Sequence, residues 1–333
     1  MIRQMPLLEI HNLSVTFTNY QGTSSVLDRV RLSVEKGEIL GLVGESGCGK
    51  SVTARAVLGL IPMPPGKIGS GSIRFKGEDL TRASKKRMRG IRGNEISMIF
   101  QEPMSCLNPV FTVGNQMREV IRIHRRLRGR QAEELCADML SRVQMPDPLA
   151  VLKKYPHELS GGMRQRVMIA MELVCGPDLL IADEPTTALD VTVQGQVLAI
   201  LMKLSRERDI SVLMITHDMG VVAQVCDRVA VMYAGRVVET APVKQLFSDP
   251  RHPYTRGLIA SIPDMDGTGC LHSIPGNVPG LIDPPKGCRF HPRCEDRITP
   301  CDIRVPELEA VSPDHYVACH AVETAGPEQG EDR

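Results

Sequence analysis

The sequence predicts an α/β fold built around a phosphate-binding loop, and three observations carry that expectation. First, the apolar run Ile39-Leu40-Gly41-Leu42-Val43 feeds into Gly44-Glu45-Ser46-Gly47-Cys48-Gly49-Lys50-Ser51, and Val52 to Leu60 then reads as helix. Second, Asp178-Leu179-Leu180-Ile181-Ala182 reads as a buried strand that closes on the adjacent carboxylates Asp183 and Glu184. Third, the β-rich run Ile210 to Ile215 ends in Thr216-His217-Asp218. Strands that end in polar loops are where α/β folds place ligand contacts.

The glycine-rich loop has a direct physical reading. Its glycines let successive backbone N–H groups turn inward as an anion-binding nest, and the following helix adds its unsatisfied N–H groups and positive dipole end. Lys50 is placed to reach the terminal phosphates, and the Ser51 hydroxyl to ligate Mg²⁺.

In chain order, Leu7 to Phe17 and Val26 to Val34 read as strands joined by the turn-like Thr18 to Gly22. Two strands ahead of the phosphate loop suggest an antiparallel subsheet beside a parallel nucleotide-binding core. Phe17 and Tyr20 are candidates to stack on an adenine ring, packing in the fold being the alternative role for either. Pro62-Met63-Pro64-Pro65-Gly66 interrupts the chain, and Gly71 to Phe75 resumes as strand. The basic run from Lys85 to Arg92 reads as a solvated helix face. Glu95 to Phe100 is a further strand, after which Pro103 and Pro109 bar helix continuation and leave Gln101 on a strand-end loop. Val113 to about Val143 turns helical with strongly charged faces, as a helical insertion between two halves of the core. At Leu159-Ser160-Gly161-Gly162-Met163, Ser160 suits a helix N-cap and the glycines permit close backbone approach, with Val167 to Val174 continuing as helix. That is a second anion-binding helix start in one chain. Asp183 suits water-mediated Mg²⁺ binding, while Glu184, one residue beyond the strand, suits polarising an attacking water. Thr186-Thr187-Ala188-Leu189-Asp190 follows, and His217 supplies a third strand-end polar group.

Composition narrows the class. The 333 residues are 42% hydrophobic and 24% charged, an ordinary globular balance that accommodates one large core and a smaller appendage. A formal net charge of +1 gives no bulk field for nucleic acid or anionic lipid, and the absence of Trp with only 3% aromatics argues against single-strand base-stacking platforms. No apolar run reaches the roughly 18 to 20 residues a membrane span requires, and the first residues lack the apolar core of a signal peptide, so a cytosolic protein is expected. Of ten cysteines, Cys48, Cys106, Cys136, Cys175, Cys226 and Cys270 are scattered, whereas Cys288, Cys294, Cys301 and Cys319 cluster near the end. In a cytosolic chain such a cluster favours a metal site over disulfides. The gaps are looser than the two to four residues usual for paired zinc ligands, and four-cysteine ligation of an iron–sulfur cluster is at least as compatible; His291 and His320 are alternative ligands, although solvated or hydrogen-bonded histidine is the preferred reading of both.

Over nearly its whole length the chain resembles an ABC-type ATPase, specifically the ATPase subunit of the dipeptide/oligopeptide permease family. Gly44–Ser51 matches the Walker A loop, Gln101 the Q-loop, Leu159–Met163 the signature, Leu179–Glu184 Walker B, Asp190 the D-loop and His217 the switch histidine. The signature discriminates, because Walker A alone is shared with kinases, GTPases and helicases. Phe100-Gln101-Glu102-Pro103-Met104-Ser105 with Leu107-Asn108-Pro109, and His252-Pro253-Tyr254-Thr255 with Ser261-Ile262-Pro263, look like the peptide-permease versions of their segments. Met163 departs from the Gln that many ABC members carry, and Cys48 is a small variation within the loop whose neighbours supply the nest, so that activity is expected to survive, with alkylation of the thiol a liability.

The resemblance implies an ABC cassette: a RecA-like parallel core with an antiparallel β subdomain and a helical subdomain at about 103–175, the ATPase domain running over 1–262. A cysteine-rich module over 263–322 and a disordered tail over 323–333 would follow. Two ATPase subunits, identical or paralogous, would sandwich ATP between Walker A of one and the signature of the other. The ATP contacts implied are Gly44 to Val52, Phe17 or Tyr20, and Ser160, Gly161 and Gly162 across the dimer. Mg²⁺ would be held through Ser51, Gln101 and Asp183, and Glu184, His217, Lys50 and Gln101 would be the catalytic residues. Further partners implied are two transmembrane permease subunits and, indirectly, a solute-binding protein, which puts the chain at the cytoplasmic face of the inner membrane. The late cysteines resemble a structural [4Fe–4S] module, with Zn²⁺ the first alternative and four unligated thiols the next. The function implied is ATP-driven import of di- or oligopeptides. Nickel or glutathione import by the same family is one alternative, and a non-transport ABC ATPase, acting on DNA or ribosomes or within a cytosolic enzyme complex, is another.

Overall fold

A computed structural model describes residues 5–101, 106–186, 190–262 and 273–323. Glu102 to Ser105, Thr187 to Leu189, Pro263, Cys270 and the tail beyond Glu323, all named above, lie outside the described residues.

The strands are β1 (Leu8–Asn19), β2 (Gly22–Val34), β3 (Ile39–Val43), β4 (Gly66–Phe75), β5 (Glu78–Asp79) and β6 (Ile96–Ile99). They continue as β7 (Leu179–Asp183), β8 (Ser211–Ile215), β9 (Arg228–Tyr233), β10 (Arg236–Pro242), β11 (Glu309–Ser312) and β12 (His315–Val317). The helices are α1 (Lys50–Val57), α2 (Lys85–Ile91), α3 (Val113–His124), α4 (Gly129–Arg142) and α5 (Pro148–Val151). After them come α6 (Gly161–Leu173), α7 (Val191–Glu207), α8 (Met219–Val225), α9 (Val243–Ser248) and α10 (Pro253–Ala260). The chain divides into two compact units.

One unit comprises Met1–Leu7, Val34–Glu38 and Arg82–Ile215. Its β6, β7 and β8 are parallel, Ile96 pairing with Leu179 and Asp183 with Ile215, and every residue of β6, β7 and β8 is buried. Strands covered on both faces read as continuous apolar runs, which is why these were legible. The expected helical stretch from Val113 to Val143 is two helices. α3 ends at Arg125, Arg126 takes a left-handed φ of +57°, and α4 begins at Gly129. Each helix buries one stripe, Val113, Met117 and Ile121 on α3 and Ala132, Cys136, Met139 and Leu140 on α4. In α2 the basic face is largely outward while Met88 and Ile91 are buried, and Arg87 makes a two-pronged pair with Glu95.

The other unit comprises Leu8–Ser33, Ile39–Thr81 and Thr216–Arg333. It holds the expected antiparallel subsheet, in the order β2-β1-β4-β5, with Phe17 opposite Gly66 and Leu8 opposite Phe75. β4 begins at Gly66 rather than Gly71, since pairing with β1 carries the ladder through the glycine-rich Gly66 to Gly71. A second run of strands places β3 parallel to β9, β9 antiparallel to β10, and β12 on β10, with Glu239 opposite Val317. Its core contains Val43, Val229, Val231, Tyr233, Tyr254 and Phe290, with Cys288 and Cys294 packed against it. The C-terminal segment therefore shares a core with the strand that feeds the phosphate loop.

Candidate functional site

The phosphate loop leaves β3 at Gly44 and enters α1 at Lys50. Two of its glycines are required by geometry. Gly44 has φ +150°, and a Cβ there would meet the Met232 carbonyl oxygen at 2.1 Å. Gly49, the N-cap of α1, has φ +110°, and a Cβ would meet Leu27 at 2.8 Å. Lys50 is buried to 6% exposure, its Nζ donating to the carbonyls of Gly44 (2.6 Å) and Glu45 (3.0 Å). The loop is anchored from outside as well. Gly235 N–H donates to the Cys48 carbonyl at 2.8 Å, and Glu45 N–H donates to the Tyr254 hydroxyl at 2.9 Å.

Cys48 corrects an expectation. Its side chain is fully buried, and burial pushes the thiol pKa up although Lys50 opposes the shift. Alkylation proceeds through an accessible thiolate, and neither condition holds here.

In the same unit, His217 lies on the exposed loop after β8. That loop is fixed on either side, with Asp218 N–H donating to Thr216 Oγ1 at 3.0 Å and the Asp218 carboxylate capping α8 through Gly220 and Val221. Tyr20, at the β1–β2 turn, is 95% exposed, whereas Phe17 is half-buried beside Gly66.

The other unit brings together Gln101, Asp183 and Glu184. Asp183 ends β7 and is 3% exposed, while Glu184 takes a left-handed φ of +47° that turns it out of the strand. Its N–H donates to the Ile215 carbonyl at 2.9 Å, and its carboxylate accepts from Gln101 Nε2 at 3.0 Å. With that amide nitrogen committed, the Gln101 carbonyl oxygen remains the acceptor a cation needs. Ser160 caps α6, its Oγ accepting from Met163 N–H at 3.3 Å, and Ser160 and Gly161 are exposed. Asp190 caps α7 in the same manner. Sequence reasoning missed Gln165, buried on α6, whose Nε2 donates to the Pro185 carbonyl and so ties the signature helix to the segment carrying Glu184. The only clue in sequence is its place one turn beyond the signature glycines.

The clustered cysteines are free thiols and belong to the unit of the phosphate loop. Burial raises the pKa of Cys288 and Cys319 and takes Cys294 up to about 11. Four thiols are, by residue type, the donor set of a soft metal or iron–sulfur group. Among the described residues, however, no three His, Cys, Asp or Glu side chains stand in position to hold a metal ion.

Comparison with known proteins places this arrangement. The ABC transporter family model matches residues 27–187, and that of the oligopeptide/dipeptide transporter C-terminal region matches 238–301. The chain is 51% identical over 314 residues to the dipeptide transport ATP-binding protein DppD of Bacillus subtilis, covering 94% of each chain. It is 49% identical over 319 residues to the oligopeptide transport ATP-binding protein OppD of the same organism, covering 95% of this chain and 89% of that one. The chain belongs to the ABC transporter family, as an ATP-binding subunit. The fold is that of the ABC cassette MJ0796, solved as a post-hydrolysis dimer bound to ADP and Pi. The TM-score is 0.64 at 24% identity, over 71% of this chain and 98% of that one. The cassette cbiO1 of Clostridium perfringens, part of the transporter complex cbiONQ, superposes with a TM-score of 0.62 at 26% identity, over 74% and 92% of the two chains. As an ABC ATPase the chain hydrolyses ATP, with MgATP as substrate. No helix among its described residues is long and apolar enough to cross a membrane.

Proposed function

We propose that this ABC ATPase powers import of di- or oligopeptides as the peripheral subunit of a transporter at the cytoplasmic face of the inner membrane. The observation that carries the reading is its 51% identity to a dipeptide transport ATP-binding protein across 94% of both chains. The match of residues 238–301 to a peptide-transporter C-terminal region supports it and disfavours a non-transport ATPase. The ATPase does not touch the cargo, so nickel or glutathione stays the alternative solute. Two transmembrane permease subunits and a solute-binding protein complete the assembly.

Each residue then has a role its chemistry suits. The nest of Gly44 to Ser51, with Val52 behind it, cradles the phosphates of ATP, and Lys50 exchanges its loop carbonyls for phosphate oxygens. Ser51, Gln101 and Asp183 hold the Mg²⁺ of the substrate, directly or through water. Glu184, turned out of β7 by its left-handed backbone, polarises the attacking water; His217 holds the γ-phosphate. Phe17 or Tyr20 stacks on adenine. Ser160, Gly161 and Gly162 contact the nucleotide of a facing ATPase subunit, and the exposure of Ser160 and Gly161 at the start of α6 supports that reading. ATP closes the pair because γ-phosphate contacts exist only in the closed state, and hydrolysis releases it. For Cys288, Cys294, Cys301 and Cys319 a structural [4Fe–4S] cluster is preferred to Zn²⁺ on their Cys-x5-Cys-x6-Cys spacing alone, since among the described residues no three such side chains stand in position to hold a metal ion.

Glu184→Gln tests the assignment. The variant is expected to bind ATP, to lose hydrolysis and to accumulate as a closed pair; undiminished hydrolysis would sink it.

A further inference from the structure

Glu45, the second residue of the phosphate loop, is gripped at three points. Its N–H is held by Tyr254, and its carbonyl accepts from Lys50. Its carboxylate receives a fork from Arg293, Nη1 to Oε2 at 2.7 Å and Nη2 to Oε1 at 3.1 Å. The Arg293 side chain is 5% exposed. Its other contacts fix its plane: Nε donates to the Pro275 carbonyl at 2.8 Å, Nη2 to the Ile274 carbonyl at 3.2 Å, and the guanidinium lies 5.8 Å from the Tyr233 ring centre.

An ion pair whose arginine is buried while its carboxylate stays 28% exposed adds little net stability, because screening and desolvation offset the attraction. What it does supply is one fixed position for the carboxylate and cancellation of its charge. Both matter in this place. The loop exists to receive a polyanion, and an unpaired carboxylate on it would repel the incoming phosphates within a partly desolvated site. A lysine would cancel the charge without the planar fork.

We infer that Arg293, from the cysteine-rich C-terminal segment, is a positioning residue for nucleotide: by holding and neutralising Glu45 it sets the affinity of the phosphate loop for ATP. The inference rests on the reading that Gly44 to Ser51 binds the phosphates of ATP. It ties the segment flanking Cys294 to the ATPase reaction through a named pair of side chains.

The test is the dissociation constant of MgATP for the full chain, with KM and kcat alongside. Arg293→Gln is expected to weaken binding roughly tenfold or more and to raise KM far more than it changes kcat. The double variant Arg293→Gln/Glu45→Gln is expected to return to within about threefold of wild type, because the orphaned charge is gone. A merely structural arginine gives no such rescue. Wild-type affinity in Arg293→Gln, or a double variant as weak as the single, overturns the inference. If Arg293→Gln does not fold, Arg293→Lys decides: it keeps the charge and loses the fork, so an affinity loss of about threefold or more with kcat little changed supports the positioning role, and wild-type affinity overturns it. Lys50→Ala separates the two levels of the argument. Wild-type MgATP binding in that variant would fail the reading of the loop itself, and this inference with it, whereas its loss alongside an indifferent Arg293 fails the inference alone.

Discussion

Replacing His252 with asparagine should flatten the acid side of the stability profile. His252 is 1% exposed, caps α10 by accepting from Tyr254 N–H at 3.0 Å, and its Nε2 has no hydrogen-bond partner among the described residues. Burial, aided by Arg256 and opposed by Glu239, pushes its pKa down from 6.5 to about 4. Between those values the unfolded chain takes up a proton that the folded ring refuses. The stabilisation from neutral His252 is therefore complete above the unfolded pKa and is lost as pH falls toward the folded one. At about 1.4 kcal/mol per pH unit the whole gap is worth roughly 3 kcal/mol, of which about 2 kcal/mol is lost between about pH 8 and pH 5. Asparagine keeps a capping acceptor and removes the titration, although it leaves a smaller side chain beside Phe290. The assay is urea unfolding of both proteins across that pH range, read as the slope with pH rather than absolute stability. Parallel slopes in wild type and His252→Asn would refute the reasoning.

Two further outcomes concern the cysteines. Native protein treated with iodoacetamide should react at exposed Cys106 and spare buried Cys48, with Cys48 labelled only after unfolding; rapid native labelling of Cys48 would show that the loop opens. Protein purified without oxygen should be brown and carry iron and sulfide in proportion to chain, and replacing Cys294 with serine should lower both; colourless protein with zinc would overturn the cluster.

The parts of the site legible in the sequence are those whose chemistry is local. Gly44 to Ser51 and Ser160-Gly161-Gly162 combine an apolar strand or a capping residue with glycines, and Asp183-Glu184 closes an unbroken apolar run with two carboxylates. β6, β7 and β8 were equally plain, because strands buried on both faces leave unbroken apolar runs. Boundaries were less legible where pairing overrides propensity, as in β4, whose first residues are glycine-rich yet paired to β1. The break between α3 and α4 turns on two left-handed residues, Arg126 and Gly129, and charge patterning does not reveal the first. Least legible were contacts made across the chain. Arg293 meets Glu45 from 248 residues away, and Phe290 packs edge-on against Tyr233 with ring centres 5.1 Å apart. A cysteine-rich segment poor in apolar residues gives no local sign that its few large side chains complete the core behind the phosphate loop.

The central claim is that Gly44 to Ser51 is half of an ATP site, completed by the signature residues of a facing subunit. The most direct measurement is the mass of Glu184→Gln protein by light scattering, with and without MgATP, alone and with its partner ATPase. The account expects a pair that forms only with MgATP, while wild-type chain held as a monomer turns over little ATP. A monomer that stays monomeric with ATP bound, and a wild-type monomer that hydrolyses at the full per-chain rate, would contradict it.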